Sequence, residues 1–237
     1  SEEKRKALED RKLSLFFEET DLKKAKKYLN NVEEFVKANP NTFDILIIAE
    51  YLNKLRTVYE GNLTEEAYNT MESLMEHTNK NSTFVDFIKK INKNEKIEKI
   101  QKVDGEIRKI ENYVSNFEIY LSKNIKSMHA SRIIDRIKKS QNIIDKATKF
   151  SQLEKANSSN KKLEDFLKNI QKEIYSAESN IIKFKDYLKK NIGSELTASI
   201  LIELEQLDKA ILSEDPLLLT TTNDRANKFI LEHIEKP

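Results

Sequence analysis

Residues 163–188, LEDFLKNIQKEIYSAESNIIKFKDYL, carry the pattern that decides the fold class. Apolar residues recur at alternating steps of four and three over eight positions, and this spacing lines one face of an α-helix. The same alternation is the a/d heptad pattern of coiled coils. It therefore predicts a long helix that ends at Ile192-Gly193 and buries this seam: Leu163, Leu167, Ile170, Ile174, Ala177, Ile181, Phe184 and Leu188.

A second seam lies upstream, over residues 100–121, and it predicts a helix over 95–128 that is about 50 Å long. Its members are Ile100, Val103, Ile107, Ile110, Val114, Phe117 and Leu121. The pattern slips after Ile125 and Met128, which indicates either a stutter or a turn between helices near 127–131. The sequence leaves open whether 83–156 forms one helix or two.

The polar run Asn157, Ser158, Ser159 and Asn160 predicts a loop, because these residues favour turns. With a loop there, the 100–121 seam, the 133–153 stretch and the 163–188 seam would pack as an antiparallel three-helix bundle.

Shorter helices are predicted on both sides of this region. In the first 90 residues, Asn39-Pro40 ends a helix over 22–38, Gly61 ends one over 43–60, and Asn81-Ser82 begins another. Thr20-Asp21, Asn41-Thr42 and Thr64 are predicted caps. Near the end, Ser194 caps an apolar helix that ends near Ser213, Asp215-Pro216 is a further cap, and Asn223-Asp224 begins the last helix.

These patterns predict an all-α protein, in which a short antiparallel helix array accompanies an elongated coiled-coil-like helical bundle. Four segments are expected: a charged helical extension at 1–19, an N-terminal short-helix array at 20–88, a long-helix bundle with a basic surface at 89–191, and C-terminal short helices packing back at 192–237.

The composition excludes several classes of protein. The 237 residues include only 3 Gly and 3 Pro, with no Cys and no Trp. Rossmann-type enzymes and β-sandwiches need Gly at many tight turns. Without Cys there can be no disulfide scaffold, cysteine zinc site or thiol nucleophile, and both reducing and oxidising compartments stay open.

The sequence contains no pattern of residues that is typical of a catalytic site. The three histidines, His77, His129 and His233, are far apart in sequence, and no Gly-rich phosphate loop or serine elbow is present. The acidic pairs Glu65/Glu66 and Glu164/Asp165 are interpreted as solvated helix faces and partners of helix dipoles. We therefore expect no catalytic residue, no metal and no cofactor, and we do not expect an enzyme.

Charge is the most informative functional feature. Residues 89–191 carry a net charge of +11, whereas residues 1–88 and 192–237 carry −4 and −5. The spacing of Arg132, Arg136, Lys139 and Lys146 places them on one stripe of a helix, and such stripes can neutralise phosphates or anionic lipids. A solvated face, or a face that docks on the acidic ends of the chain, is the preferred interpretation, because Asp135 and other acids are interspersed.

The amino-acid composition also indicates the base composition of the source genome. Lys outnumbers Arg 35 to 7, and 26 Ile and 22 Asn are present, as expected of a low-GC genome.

No apolar run is long enough to span a bilayer, and the first residues do not form a signal peptide. Residue 1 is not Met, which is compatible with a processed or excised piece of a longer chain, and the sequence leaves open whether the chain is such a fragment.

The sequence thus predicts a non-catalytic helical interaction or scaffold module that binds a protein partner within a larger protein or assembly. The alternative is a binder of nucleic acid or of an anionic membrane surface through the basic central helices. The oligomeric state and the compartment stay open.

Overall fold

In the computed structural model the chain is all-α, as predicted. The structure describes residues 2–16, 21–42, 44–58 and 65–235. It is 88% helical, and the described residues contain nine α-helices and no strand. The helices are α1 (Glu2–Ser14), α2 (Asp21–Ala38), α3 (Ile45–Val58), α4 (Glu65–Lys80), α5 (Ser82–Lys123), α6 (Ala130–Lys146), α7 (Phe150–Lys190), α8 (Thr197–Ser213) and α9 (Pro216–Phe229), which a π-helical turn (Ile230–Ile234) extends.

The chain divides into two compact units. The first comprises residues 1–105 with 148–150, and the second comprises residues 106–147 with 151–237. Helix α5 contributes its earlier residues to the first unit and its later residues to the second. The division into segments at 19/20, 88/89 and 191/192 stays a prediction.

The core of the first unit forms around α3, which packs against both α2 and α4. The apolar positions of α3 recur at helical spacing, so one face of the helix is buried: Ile45, Ile48, Leu52 and Leu55. Phe35 of α2 meets Phe84 of α5 edge to face, with ring centroids 5.1 Å apart. The cap predicted at Asn81 is confirmed, because its Oδ1 accepts a hydrogen bond of 3.1 Å from the Phe84 backbone N–H.

The helices predicted over 22–38 and 43–60 correspond to α2 and α3. Three predicted helix-end signals, Thr20, Gly61 and Thr64, lie outside the described residues.

In the second unit, α6 runs antiparallel to both α5 and α7. Asn157 of α7 contacts Glu106 of α5, and further along both helices Glu164 contacts Asn116, so α5 and α7 are parallel. Contacts between α6 and α7 run in the opposite sense, since Arg132 lies over Phe166 and Arg136 bonds to the earlier Asn160. This order agrees with the predicted three-helix arrangement. Coiled-coil character stays a prediction.

The slip in the upstream seam is a turn between helices. Helix α5 ends at Lys123, earlier than the predicted 128, and α6 begins at Ala130. Ile125 and Met128 are 83% and 71% exposed, so the heptad pattern ends where the chain leaves the core. Residues 83–156 therefore contain parts of three helices rather than one or two.

The loop predicted at 157–160 is wrong. These residues lie within α7, and Asn157 and Asn160 are buried. The Asn157 amide donates to the Glu106 carbonyl oxygen at 3.0 Å and to its Oε2 at 2.6 Å. Asn favours loops because its side chain competes for nearby backbone groups, but here the side chains bond to neighbouring helices instead.

The helix start predicted at Asn223-Asp224 is also wrong, whereas the cap at Asp215-Pro216 is confirmed. Asp215 accepts from the backbone N–H groups of Leu217 and Leu218, and α9 continues from Pro216 through 223. Asn223 is buried and donates to the Glu173 carbonyl oxygen at 2.8 Å. Like Asn157, Asn223 joins two helices rather than starting one.

Helices α7, α8 and α9 share an apolar core. Ala177 and Phe184 of α7 pack with Ile200 and Leu207 of α8 and with Ala226 of α9. The seam predicted over 163–188 thus supplies core residues.

Over the described ranges, no helix combines the length and the apolar character that a membrane crossing needs.

Candidate anion-binding groove

Helix α6 separates apolar and basic side chains onto different faces. Ile133, Ile137 and Ser140 are buried, whereas Arg132 and Lys139 are exposed. Since positions three and four apart share a helix face, the predicted basic stripe keeps its register along α6.

A groove of about 310 Å³ lies between this face and α7. Arg132, Arg136 and Lys139 of the predicted stripe line it, whereas Lys146, an exposed residue at the end of α6, does not. The other side chains at the groove are Asp135 of α6 and Ser159, Lys162 and Leu163 of α7. Four cations and one carboxylate give the lining a net positive charge.

Arg136 is held in place by neutral acceptors on α7. Its Nε donates to Asn160 Oδ1 at 2.5 Å, and its Nη2 donates to the Ala156 carbonyl oxygen at 3.3 Å. Asn160 is held in turn by a 3.1 Å hydrogen bond from the Ser140 hydroxyl. Burial lowers the pKa of Arg136, because desolvation disfavours the charged form, while the nearby Asp135 carboxylate opposes this shift.

The other three basic side chains at the groove make different contacts with the rest of the protein. Arg132 stacks on Phe166, with its guanidinium carbon 4.8 Å from the ring centroid. Lys139 forms an ion pair of 2.8 Å with Asp135 on the same helix. Lys162 has no carboxylate oxygen within 4.0 Å among the described residues. The groove therefore combines one guanidinium oriented by neutral acceptors, one stacked guanidinium, one paired lysine and Lys162.

Two lysines of α5 form ion pairs with carboxylates of the chain. Lys96 pairs with Glu9 at 3.4 Å in the first unit, and Lys109 pairs with Glu106 at 2.6 Å in the second. The Glu106 carboxylate raises the pKa of Lys109 by hydrogen bonding to it. Both lysines are therefore neutralised by glutamates.

Ser159 and Lys162 are groove residues that the sequence reasoning missed. Ser159 lies in the segment for which a loop was predicted, and Lys162 follows that segment by two residues. If 157–160 is taken as helical, Ser159 and Lys162 are three residues apart on one face, so helical periodicity was the signal that could have found them.

A separate surface forms where two inter-helix turns meet in the second unit. Ser127, in the α5–α6 turn, donates its hydroxyl hydrogen to Glu214 Oε2 at 2.6 Å. Glu214 adopts a left-handed conformation, φ 47°, in the α8–α9 turn, and its carbonyl oxygen lies 3.1 Å from Nε2 of His129. We call this region the two-turn end and define it as residues 124–129 and 212–218.

Large apolar side chains at the two-turn end face solvent. The four most exposed lie within three residues of the Ser127–Glu214 contact in sequence: Ile125 (83%), Met128 (71%), Leu212 (76%) and Leu217 (74%). Contiguous exposed apolar patches mark interaction sites more often than isolated apolar residues do.

The histidines and acidic pairs singled out in the sequence lie in different surroundings. His77 packs on Tyr51, His129 on Phe166 and His233 on Phe229. Glu164 accepts from Lys168 and Asn116, and these hydrogen bonds lower its pKa. No group of three or more potential metal ligands occurs in the part of the chain that the structure describes.

Comparison with known proteins gives no relative. No family model matches the chain, and no curated protein or solved structure is significantly similar to it. A functional proposal therefore has only the residues of this chain to build on.

Proposed function

We propose that this chain is a non-catalytic interaction module and that it binds a protein partner through the two-turn end. The proposal depends on one observation, the four exposed apolar side chains near the Ser127–Glu214 contact. The sequence has no catalytic motif, and long helices with fixed turns are suited to presenting a docking surface.

The energetics favour a partner on this surface. Each exposed Leu, Ile or Met leaves apolar area in water, and burying it contributes about 1.5–3 kcal/mol per side chain. The hydrogen bonds of Ser127 and His129 to Glu214 tie the two turns together, so little conformational entropy is lost when a partner binds. Coiled-coil pairing with another chain is a further form that such an interaction can take.

The test compares an Ile125→Asp/Leu217→Asp double variant with the wild-type chain. Because both side chains are already exposed, the charges leave folding intact but disfavour burial against a partner. We expect a partner retained by wild type in affinity purification from the native source, or a self-associated species in sedimentation, to be lost in the double variant. In the purified complex, amide exchange should slow at 124–129 and 212–218.

The matched control is Ile182→Asp/Leu201→Asp, which places the same two charges at other exposed positions, 60% and 54% accessible, in α7 and α8. This variant should bind like wild type. Equal loss of the partner in both variants, or slowed exchange only outside the two-turn end, would contradict the proposal.

A further inference from the structure

We propose that the groove between α6 and α7 binds a phosphomonoester group, with Arg136 as the oriented anchor and Lys162 as a second cation. None of the groove residues belongs to the two-turn end, and the site does not depend on the function proposed above. Its basis is the hydrogen bonding of Arg136, the charge of the groove and its volume.

Arg136 is preorganised for an anion. A guanidinium has five N–H donors, and two of those of Arg136 bond to Asn160 and Ala156, which leaves three for a ligand. Both acceptors are neutral, and no carboxylate oxygen lies within 4.0 Å of Arg136 in the described ranges. The nearby Asp135 carboxylate favours the charged form of Arg136 but forms its ion pair with Lys139. An anion that enters the groove therefore supplies the direct counter-ion that half-buried Arg136 lacks.

The other donors suit a phosphate better than a carboxylate. Lys162 and the Ser159 hydroxyl reach the groove from α7. Lys139 lines it from α6 and neutralises the one lining carboxylate, Asp135, at 2.8 Å. A phosphomonoester carries a charge of about −1.5 to −2 at pH 7 and three strong acceptor oxygens. A carboxylate has one charge and two oxygens, so it would leave more of these donors unmatched.

The size of the groove favours a compact ligand over a nucleic-acid strand. About 310 Å³ is at the lower end of the roughly 300–1,000 Å³ of small-molecule sites. Binders of single strands also stack bases on aromatic rings. Here the Phe166 ring has the Arg132 guanidinium over it, so that face is not open to a base.

The experiment uses the whole chain and glycerol 3-phosphate as the probe, with glycerol as the uncharged comparison. Isothermal titration calorimetry at low salt should detect glycerol 3-phosphate and not glycerol. Lys162→Gln should weaken binding about threefold or more, and Arg136→Gln about tenfold or more, because charge-assisted hydrogen bonds are lost.

Lys172→Gln is the matched control, since it removes one exposed lysine charge from the same helix outside the groove. It should bind glycerol 3-phosphate like wild type. Among the described residues Lys162 makes no side-chain hydrogen bond or ion pair, so its variant tests the site even if Arg136→Gln is less stable. Circular dichroism checks that the helix content of each variant is unchanged.

Vesicles identify the source of the phosphomonoester. If binding to phosphatidic acid vesicles is displaced by glycerol 3-phosphate, the source is a lipid headgroup. Binding of glycerol 3-phosphate without vesicle binding indicates a free metabolite. Both outcomes support the phosphomonoester site.

Three results would overturn the proposal. The first is no heat of binding with glycerol 3-phosphate, and the second is equal affinity in wild type, Arg136→Gln and Lys162→Gln. The third is binding of a single-stranded oligonucleotide that is tighter than that of glycerol 3-phosphate and that Lys172→Gln weakens as much as Lys162→Gln. That result would point to a diffuse polyanion surface.

Discussion

Buried asparagines set the arrangement of helices at the scale of single residues. Asn157 and Asn223 each donate to both the carbonyl oxygen and the carboxylate of a glutamate, Glu106 and Glu173, on a neighbouring helix. The same two-pronged contact therefore joins α7 to α5 and α9 to α7. Because an unmatched buried N–H group is costly, these contacts of the two amide nitrogens specify which residues face each other.

Glu33 provides a prediction about pH. Hydrogen bonds from Arg56 and then from Lys37 lower its pKa from 4.5 to about 2. A folded-state pKa below the unfolded value stabilises the fold above pH 4.5, and this contribution is lost as the pH falls towards 2. We expect NMR titration of the Glu33 carboxyl to show the lowered pKa.

Two variants separate the causes of that shift. Arg56→Gln should raise the pKa of Glu33 more than Lys37→Gln does, because Arg56 makes the larger contribution. Equal titration of Glu33 in wild type and Arg56→Gln would show that the ion pair does not form in solution.

Helix α7 is the element on which the second unit is built, since it contacts α5, α6, α8 and α9. Its 41 residues pass through the Asn157–Asn160 region without a break. The heptad seam over 163–188 and the buried Asn157 and Asn160 lie on this one helix, so its continuity fixes the positions of both.

A proline at position 158 tests this continuity. Ser158→Pro removes a backbone donor and places the ring against the preceding turn, which costs about 3 kcal/mol or more inside a helix. Chemical denaturation should therefore show a large loss of stability. Ser158→Ala, at the same exposed position, should change the free energy of unfolding by no more than about 0.5 kcal/mol.

The heptad seam provides a second test within α7. Ile174 is half-buried and packs against the cluster of Ile170, Ala210 and Leu219, whereas its neighbour Tyr175 is 76% exposed. Ile174→Asp should cost about 2 kcal/mol or more, because it buries an unpaired charge. Tyr175→Asp should be close to wild type in the same thermal melt. If Ile174→Asp melts like wild type, the seam is not part of the core.

The whole molecule contains two units with separate clusters of buried side chains. Phe35 and Leu55 belong to the core of the first unit, and Phe184 and Leu207 to a core of the second. Each unit therefore buries apolar area of its own.

At this scale we expect far-UV circular dichroism to show mostly helix, well above the roughly one-third of an average globular protein. The near-absence of Gly and Pro and the three-to-four spacing of apolar residues are the physical reasons. A substantial strand component in the spectrum would contradict the fold.

The candidate groove was predictable only in part. The spacing of Arg132, Arg136 and Lys139 along α6 identified half of it, because helical periodicity is a local property. Ser159 and Lys162 were missed, since their place at the groove depends on how α7 packs beside α6. The unbonded donors of Arg136 follow from the positions of Asn160 and Ala156, which no spacing rule supplies.

The sequence by itself determined the fold class, the two heptad seams and the cap at Asp215-Pro216, because periodicity and capping depend on residues within one or two turns. Only the tertiary structure decided that 157–160 is helical and that Asn223 lies inside α9. Local propensity favours a turn at both places, and hydrogen bonds to Glu106 and Glu173 on other helices outweigh it. The two-turn end was also decided by tertiary structure, since Ser127 and Glu214 are 87 residues apart in sequence.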